Sequence, residues 1–275
     1  MIMSIIALDI GGTAVKYGIF GEKNEFGQFA VMDSDGVERL PEKIMEFLYS
    51  HKADYIGISA PGPFDFKTGT GLMEHKLKSL YKVSLREMIE KEFQGVKLFF
   101  IHDSVSFILG EISQNPSLAD EKVGGVMLGT GLGYVNCIRG RASINEIGTP
   151  ISPLWNMSYK DGIAENYVSA TALKAKAGAR GYDFPGVKEM AEAAAEGNKE
   201  LLDVFSETGE DLGTLMKIKQ REEGFDCLII GGQVSHAWEL MKGGFDKKCS
   251  IPYFVSRDPA RTPLYGIKYF AERYL

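Results

Sequence analysis

Two short stretches carry the residue types best suited to chemistry. Asp9-Ile-Gly-Gly-Thr13 sets a carboxylate near the end of an apolar run and follows it with small residues. Glycine has no Cβ, so the backbone N–H groups of such a turn can approach an anion closely, a phosphate above all. Thr13 adds a hydroxyl donor and Asp9 suits a hydrated Mg²⁺. Lys16 reaches a phosphate if its strand turns it that way, and faces solvent if not. Gly129-Thr130-Gly131 offers the same chemistry about 120 residues further on. Either turn alone also fits a plain hairpin. Two in equivalent places suggest two similar lobes that each offer a turn to one ligand.

Asp103 closes a second apolar run, with His102 just before it. Phosphoryl transfer to an alcohol needs a base at the hydroxyl, with positioning and charge neutralisation around the γ-phosphate. Asp103 meets the first need and fits a helix N-cap equally well. His102 reads as a second base, a donor to a sugar, or a structural residue. Gly231-Gly232 stands at a strand-to-helix switch, where an adenosine can lie against bare backbone or where helix and strand simply pack. Glu146 and Glu165 are single carboxylates that can accept sugar hydroxyls or serve as solvated charges.

These residues need elements to hold them. Apolar runs predict a strand over 5–10, a return strand over 15–20 and a third over 28–32, a meander rather than a strand–turn–helix. Neither a Walker A loop nor a dinucleotide fingerprint is therefore present. Pro41 opens a helix with Ile44, Phe47 and Leu48 on one face. Ser84, with Glu87 three residues later, predicts another helix start. Strands follow over 55–59 and 96–101, the latter delivering His102 and Asp103 to a helix over 104–112. The second half repeats strand, glycine turn and strand over 123–138. It then reads as helical over 163–179 and much of 185–223, with strands at 227–230 and 252–255 and a last helix from Thr262. This mixture is α/β. The expected division is 1–108, 109–258, and a terminal helix 259–275 that returns to the first lobe.

The 275 residues are 44% hydrophobic and 25% charged, ordinary for a globular chain. The net charge is -6 and no Lys/Arg block stands out, which argues against nucleic acid as a partner. Cys137, Cys227 and Cys249 are odd in number and far apart, so neither a disulfide framework nor a CxxC pair is readable. The opening MIMSIIALDIGG lacks a basic region and a cleavage site and reads as a strand. No run approaches the ~18 apolar residues of a membrane span. A cytoplasmic location is expected.

In this order the motifs resemble the ROK family of sugar kinases and repressors. LDIGGTAVKYGIF (8–20) is similar to the family's first phosphate turn, and ISAPGPFDFKTG (58–69) to its substrate-side loop. HDSVSFILGE (102–111) resembles the Asn-Asp-Ala-Asn segment with the catalytic Asp. LGTGLGYVNCIRG (128–140) resembles the second phosphate turn, and CLIIGGQVSHAW (227–238) the adenosine motif. The resemblance implies two ribonuclease-H-like lobes of the actin-like ATPase fold around a central cleft. It implies ATP and Mg²⁺ as cofactors, with Asp103 as general base for a hexose hydroxyl, the 6-OH by preference. Asp9, Gly11, Gly12, Thr13, Gly129, Thr130 and Gly131 match the phosphate and metal turns, and Gly231 and Gly232 the adenosine contact. Glu146 matches the Glu of a Glu-Ile-Gly-His motif. Glu165 opens ENYVSATAL (165–173), similar to the helix that carries a sugar-binding Glu. A homodimer is the family's usual state; Trp155, Tyr159 and Tyr167 are the aromatics nearest to a signal for it.

The departures lie on the sugar side. Thr149 stands for the motif's His and His102 for the Asn before the catalytic Asp. The loop near His75 and Lys76 departs from an Asn-Leu-Pro pattern. ISPLWNMSYKDGIAE (151–165) replaces the family's cysteine-bearing zinc segment and has neither Cys nor His, so no zinc site is expected. No helix-turn-helix precedes Ile5, which points away from the repressor branch. A non-catalytic sensor of sugar or nucleotide on the same fold remains an alternative, as does a phosphotransferase acting on a non-sugar.

Overall fold

Ile5–Ile10 (β1) is apolar on both faces because it lies mid-sheet, and its alternation sends side chains into two different cores. The structure, a computed structural model, describes residues 3–74 and 76–275. His75 lies outside the described residues; Lys76 is exposed. The chain divides into two units. The first gathers the chain up to Pro116 with Ile144–Ile151 and Ala260–Leu275.

In the first unit β1 pairs antiparallel with Ala14–Phe20 (β2), which pairs antiparallel with Glu25–Ala30 (β3). Leu40–Tyr49 (α1) follows, then Tyr55–Ala60 (β4), parallel to β1 on its other side. Phe64–Asp65 (β5) and Thr70–Gly71 (β6) form a small hairpin before Leu85–Glu92 (α2). The Ser84 hydroxyl accepts from Glu87 N–H at 3.2 Å, as the sequence predicts. Lys97–His102 (β7) completes the sheet, parallel to β4, and runs straight into Asp103–Gln114 (α3). Ile6, Leu8 and Ile10 pack with α1 and α2, while Ile5 and Ala7 meet Leu264 and Ile267 of the C-terminal helix Thr262–Tyr274. Each such fully buried Ile or Leu side chain contributes about 1.5–3 kcal/mol.

α3 and the C-terminal helix cross closely at two glycines. A β-carbon on Gly110 would overlap the Thr262 carbonyl, and one on Gly266 the Ser106 carbonyl. α3 runs unbroken to Gln114, past the expected division after residue 108. The third strand covers 25–30 rather than 28–32, because the register Ala14↔Ala30 through Ile19↔Glu25 is set by the preceding hairpin.

The second unit, Ser117–Ser143 with Ser152–Pro259, repeats the plan. Lys122–Leu128 (β8) pairs antiparallel with Leu132–Ile138 (β9), and β9 with Arg141–Ala142 (β10). A hairpin of Ser158–Tyr159 (β11) and Gly162–Ile163 (β12) leads to a short 3₁₀ turn, Ala164–Asn166. The helices are Ala170–Gly178 (α4), Val187–Ala195 (α5), Lys199–Glu223 (α6) and Trp238–Lys248 (α7). Cys227–Gly231 (β13) lies parallel to β8, and Tyr253–Val255 (β14) parallel to β13. The sheet orders β3-β2-β1-β4-β7 and β10-β9-β8-β13-β14 thus match position for position.

Two helical expectations are corrected. The helix expected over 163–179 starts only at Ala170, because the Ser169 hydroxyl caps it, accepting from Ala172 N–H at 3.0 Å. The stretch 185–223 breaks at Gly197, whose φ is +103°, and restarts where Asn198 caps α6. Among the described residues no helix is long and apolar enough to cross a membrane. The three cysteines are free and buried.

Candidate active site

In the first unit Asp9 sits one residue before the end of β1, in register with Lys16 on β2 and Ser59 on β4. Burial pushes its carboxyl up to about 6; the Lys16 ammonium opposes the rise, the Asp103 charge adds to it, and a Ser59 hydrogen bond opposes it. Lys16 thus belongs to the surroundings of Asp9. Gly11 N–H donates to Ala14 O at 3.0 Å and closes the turn. The N–H groups of Gly12 and Thr13 meet no acceptor among the described residues. Space beside Gly12 is open, since a β-carbon there would meet nothing within 4 Å.

Asp103 is the first residue of α3, where the helix dipole favours a negative charge. Its carboxylate is 30% exposed and lies 2.8 Å from His102 Nδ1. Ser104 N–H donates to Asp103 Oδ1 at 2.6 Å and also points to His102 Nδ1 at 3.2 Å. Burial works to raise this carboxyl, but the His102 charge and hydrogen bond, with the Ser104 donors, outweigh it and hold it below the usual carboxylate range. Two carboxyls in one unit are thus driven apart: Asp9 upward, Asp103 downward.

A buried hydroxyl pair ties them together. Ser59 Oγ and Ser106 Oγ are 2.9 Å apart, and Ser106 Oγ donates to Asp103 O at 2.8 Å. Sequence reading missed both serines. The one available signal was Ser106 at three residues past Asp103, the spacing of helical back-bonding.

Glu146 sits exposed on a loop of the same unit. Asn145 Oδ1 accepts from Ile147 N–H at 3.1 Å and Thr149 N–H at 3.0 Å, which closes the loop's turn with Thr at 149. Phe66 N–H donates to Ile147 O at 3.2 Å, and the Phe66 ring stands 5.5 Å from that of His102. Asp9, Asp103, His102 and the Glu146 loop are therefore linked within one unit.

The second unit holds a matching turn. Gly129 N–H donates to Gly131 O at 3.0 Å. Gly129 O accepts from Ala170 N–H at 2.8 Å, and Thr130 O from the Thr171 hydroxyl at 3.1 Å. The start of α4 takes these carbonyls, while the Thr130 and Gly131 N–H groups meet no acceptor among the described residues. Such paired N–H groups suit an anion. Glu165 lies in the 3₁₀ turn rather than on a helix, and its Oε2 accepts from Leu132 N–H at 2.8 Å. A β-carbon on Gly131 would stand 2.5 Å from that oxygen, so a larger residue here would displace the Glu165 carboxylate. Gly231 ends β13; Gly232 has φ +83°, and a β-carbon there would overlap Leu128 backbone. Local conformation alone accounts for Gly232.

Residues 5–250 match the ROK family. The chain belongs to the ROK family. A glucokinase of Thermotoga maritima is 24% identical over 287 aligned positions, covering 92% of this chain and 90% of that one. Among solved structures, a ROK family glucokinase from Streptomyces griseus in complex with glucose and AMPPNP superposes with a TM-score of 0.76. It shares 20% identity, with 96% of this chain and 97% of that one covered. A ROK family protein from Streptococcus pneumoniae in complex with sucrose gives a TM-score of 0.82 at 18% identity, covering 98% and 99%. The fold is accordingly that of ROK proteins, α/β with two ribonuclease-H-like lobes, as the sequence suggested. Among the described residues no cluster of three or more His, Cys, Asp or Glu could hold a metal ion.

Proposed function

We propose that this ROK protein is an ATP-dependent sugar kinase that transfers the γ-phosphate to a hexose or hexose-derivative hydroxyl, the 6-OH by preference. One observation carries the assignment of Asp103 as base: its carboxylate is held ionised and part-exposed at the start of α3, by His102 and Ser104. An ionised carboxylate can take a proton from an alcohol as that oxygen attacks phosphorus. Gly11, Gly12 and Thr13, and separately Gly129, Thr130 and Gly131, are assigned to the phosphates, since both turns present N–H groups without acceptors among the described residues. Lys16, in register with Asp9, is assigned to lend them positive charge. Gly231 and Gly232 are assigned to the adenosine, and Glu146, Glu165 and His102 to the sugar.

Mg²⁺ fits the donor chemistry. Asp9, whose ionised form is disfavoured by burial and by Asp103, gains from a cation, and it would hold the ion through water. When bound, Mg²⁺ neutralises charge on the phosphates. A cytoplasmic location and a homodimer complete the proposal. The free, buried cysteines agree with a reducing compartment, and Trp155, 46% exposed, is the most exposed of the three aromatics Trp155, Tyr159 and Tyr167.

The test is ADP release with Mg²⁺-ATP against a panel of hexoses, amino sugars and β-glucosides, with Asp103→Asn alongside. Turnover with one sugar that falls at least ~10²-fold in the variant establishes the reading. A second reading, a sugar or nucleotide sensor, draws on the His102–Asp103 pair, because a carboxylate engaged by an imidazole is a weaker base. Sugar binding without turnover in the folded, ATP-binding protein selects it.

A further inference from the structure

In the second unit one helix grips one loop at two points. Asp211 and Lys219 lie about two turns apart on the same face of α6. The Lys219 side chain is 3% exposed; its ammonium donates to Ser152 O at 3.2 Å, to the Ser152 hydroxyl and to Glu223 Oε1 at 2.9 Å. Asp211, 7% exposed, accepts from Lys160 Nζ at 2.6 Å, Tyr159 Oη at 3.0 Å and Lys176 Nζ at 2.9 Å. Ser152 opens the segment 152–165; Tyr159 ends β11 and Lys160 begins the turn of its β11–β12 hairpin. Lys160 is held at φ +52°, a conformation an L-residue keeps only when its surroundings impose it.

The segment ends on Glu165. Its N–H donates to Trp155 O at 3.1 Å, and its carboxylate accepts from Leu132 N–H just after the 129–131 turn. A buried ammonium and a buried carboxylate are costly, and apolar residues of the same size often serve stability as well. What the charges add is direction: both are used on this loop. The segment is also where the chain lacks the cysteines of the ROK zinc pattern.

We propose that Lys219 and Asp211 are positioning residues, which through residues 152–165 hold Glu165 on Leu132 N–H and so set the shape of the 129–131 turn. The role in catalysis rests on reading that turn as a phosphate site. The test uses the full chain with Lys219→Met, Lys160→Met and Glu165→Ala, which removes the acceptor of Leu132 N–H. Amide hydrogen exchange at Leu132 is the first readout, because it does not depend on turnover. Exchange at Leu132 should rise at least ~10-fold in Lys219→Met and Glu165→Ala, with Val126 and Ile229 unchanged. Lys160→Met, at a half-exposed side chain, should show a smaller rise and serves if Lys219→Met does not fold.

The second readout is KM for ATP. It should rise ~5-fold or more in Lys219→Met, and by less than ~2-fold when Glu165→Ala is already present. Wild-type protection of Leu132 in folded Lys219→Met and Lys160→Met, or full additivity with Glu165→Ala, overturns the positioning role. Turnover by the wild type together with that result leaves the kinase reading standing. Loss of Leu132 protection in a protein that binds no ATP supports the link to Leu132 and removes the phosphate reading instead.

Discussion

His102 Nδ1 lies 2.8 Å from Asp103 Oδ1, and the same nitrogen faces Ser104 N–H at 3.2 Å. Nδ1 cannot donate to the carboxylate and accept from Ser104 at once, so the protonation of His102 decides which contact forms. His102→Ala should therefore raise the Asp103 pKa, seen as an upward shift in its carboxyl ¹³C titration. An unmoved titration would show that Ser104 alone holds the carboxylate down.

Asp9 has a folded pKa of about 6 against 3.8 unfolded, so its ionisation costs stability. The sign follows: below 3.8 the group is neutral in both states and costs nothing, and the cost grows with pH until it is complete above 6. Asp9→Asn should thus stabilise the fold by about 1–3 kcal/mol at pH 8, and by little at pH 4. Urea melts at both pH values check this. The same variant should lose turnover, and wild-type kcat/KM should decline as pH falls through 6.

Gly12 and Gly232 should answer an added β-carbon differently. Gly12→Ala adds a β-carbon into open space, so the melting temperature should hold while KM for ATP rises ~10-fold or more. Gly232→Ala puts a β-carbon at φ +83° onto Leu128 backbone, and should destabilise by about 1–3 kcal/mol or more. If Gly12→Ala leaves KM untouched, the first turn does not hold phosphate.

Chelation distinguishes the metals. A zinc-selective chelator should leave both the melting temperature and the activity of the Mg²⁺-supplied protein unchanged, while omission of Mg²⁺ should abolish turnover. A melting temperature lowered by the zinc chelator would mean that residues outside the expected segment bind zinc.

The sequence by itself determined the two hairpin turns, the buried strands and the placing of Asp103 at a strand-to-helix junction. These follow from period-2 alternation, from glycines at turns and from the Asp at a helix start, all signals that lie within a few residues. It misjudged the helix near 163, where Ser169 competes as a cap, and the break at Gly197. Only tertiary structure decided that residues 144–151 join the first unit, that Ser59 meets Ser106 across 47 positions, and that Lys219 reaches Ser152 across 67. The divergent pKa shifts of Asp9 and Asp103 belong to the same class. Burial and a neighbour's charge act through distance in space, and a sequence carries no distance until the chain has closed on itself.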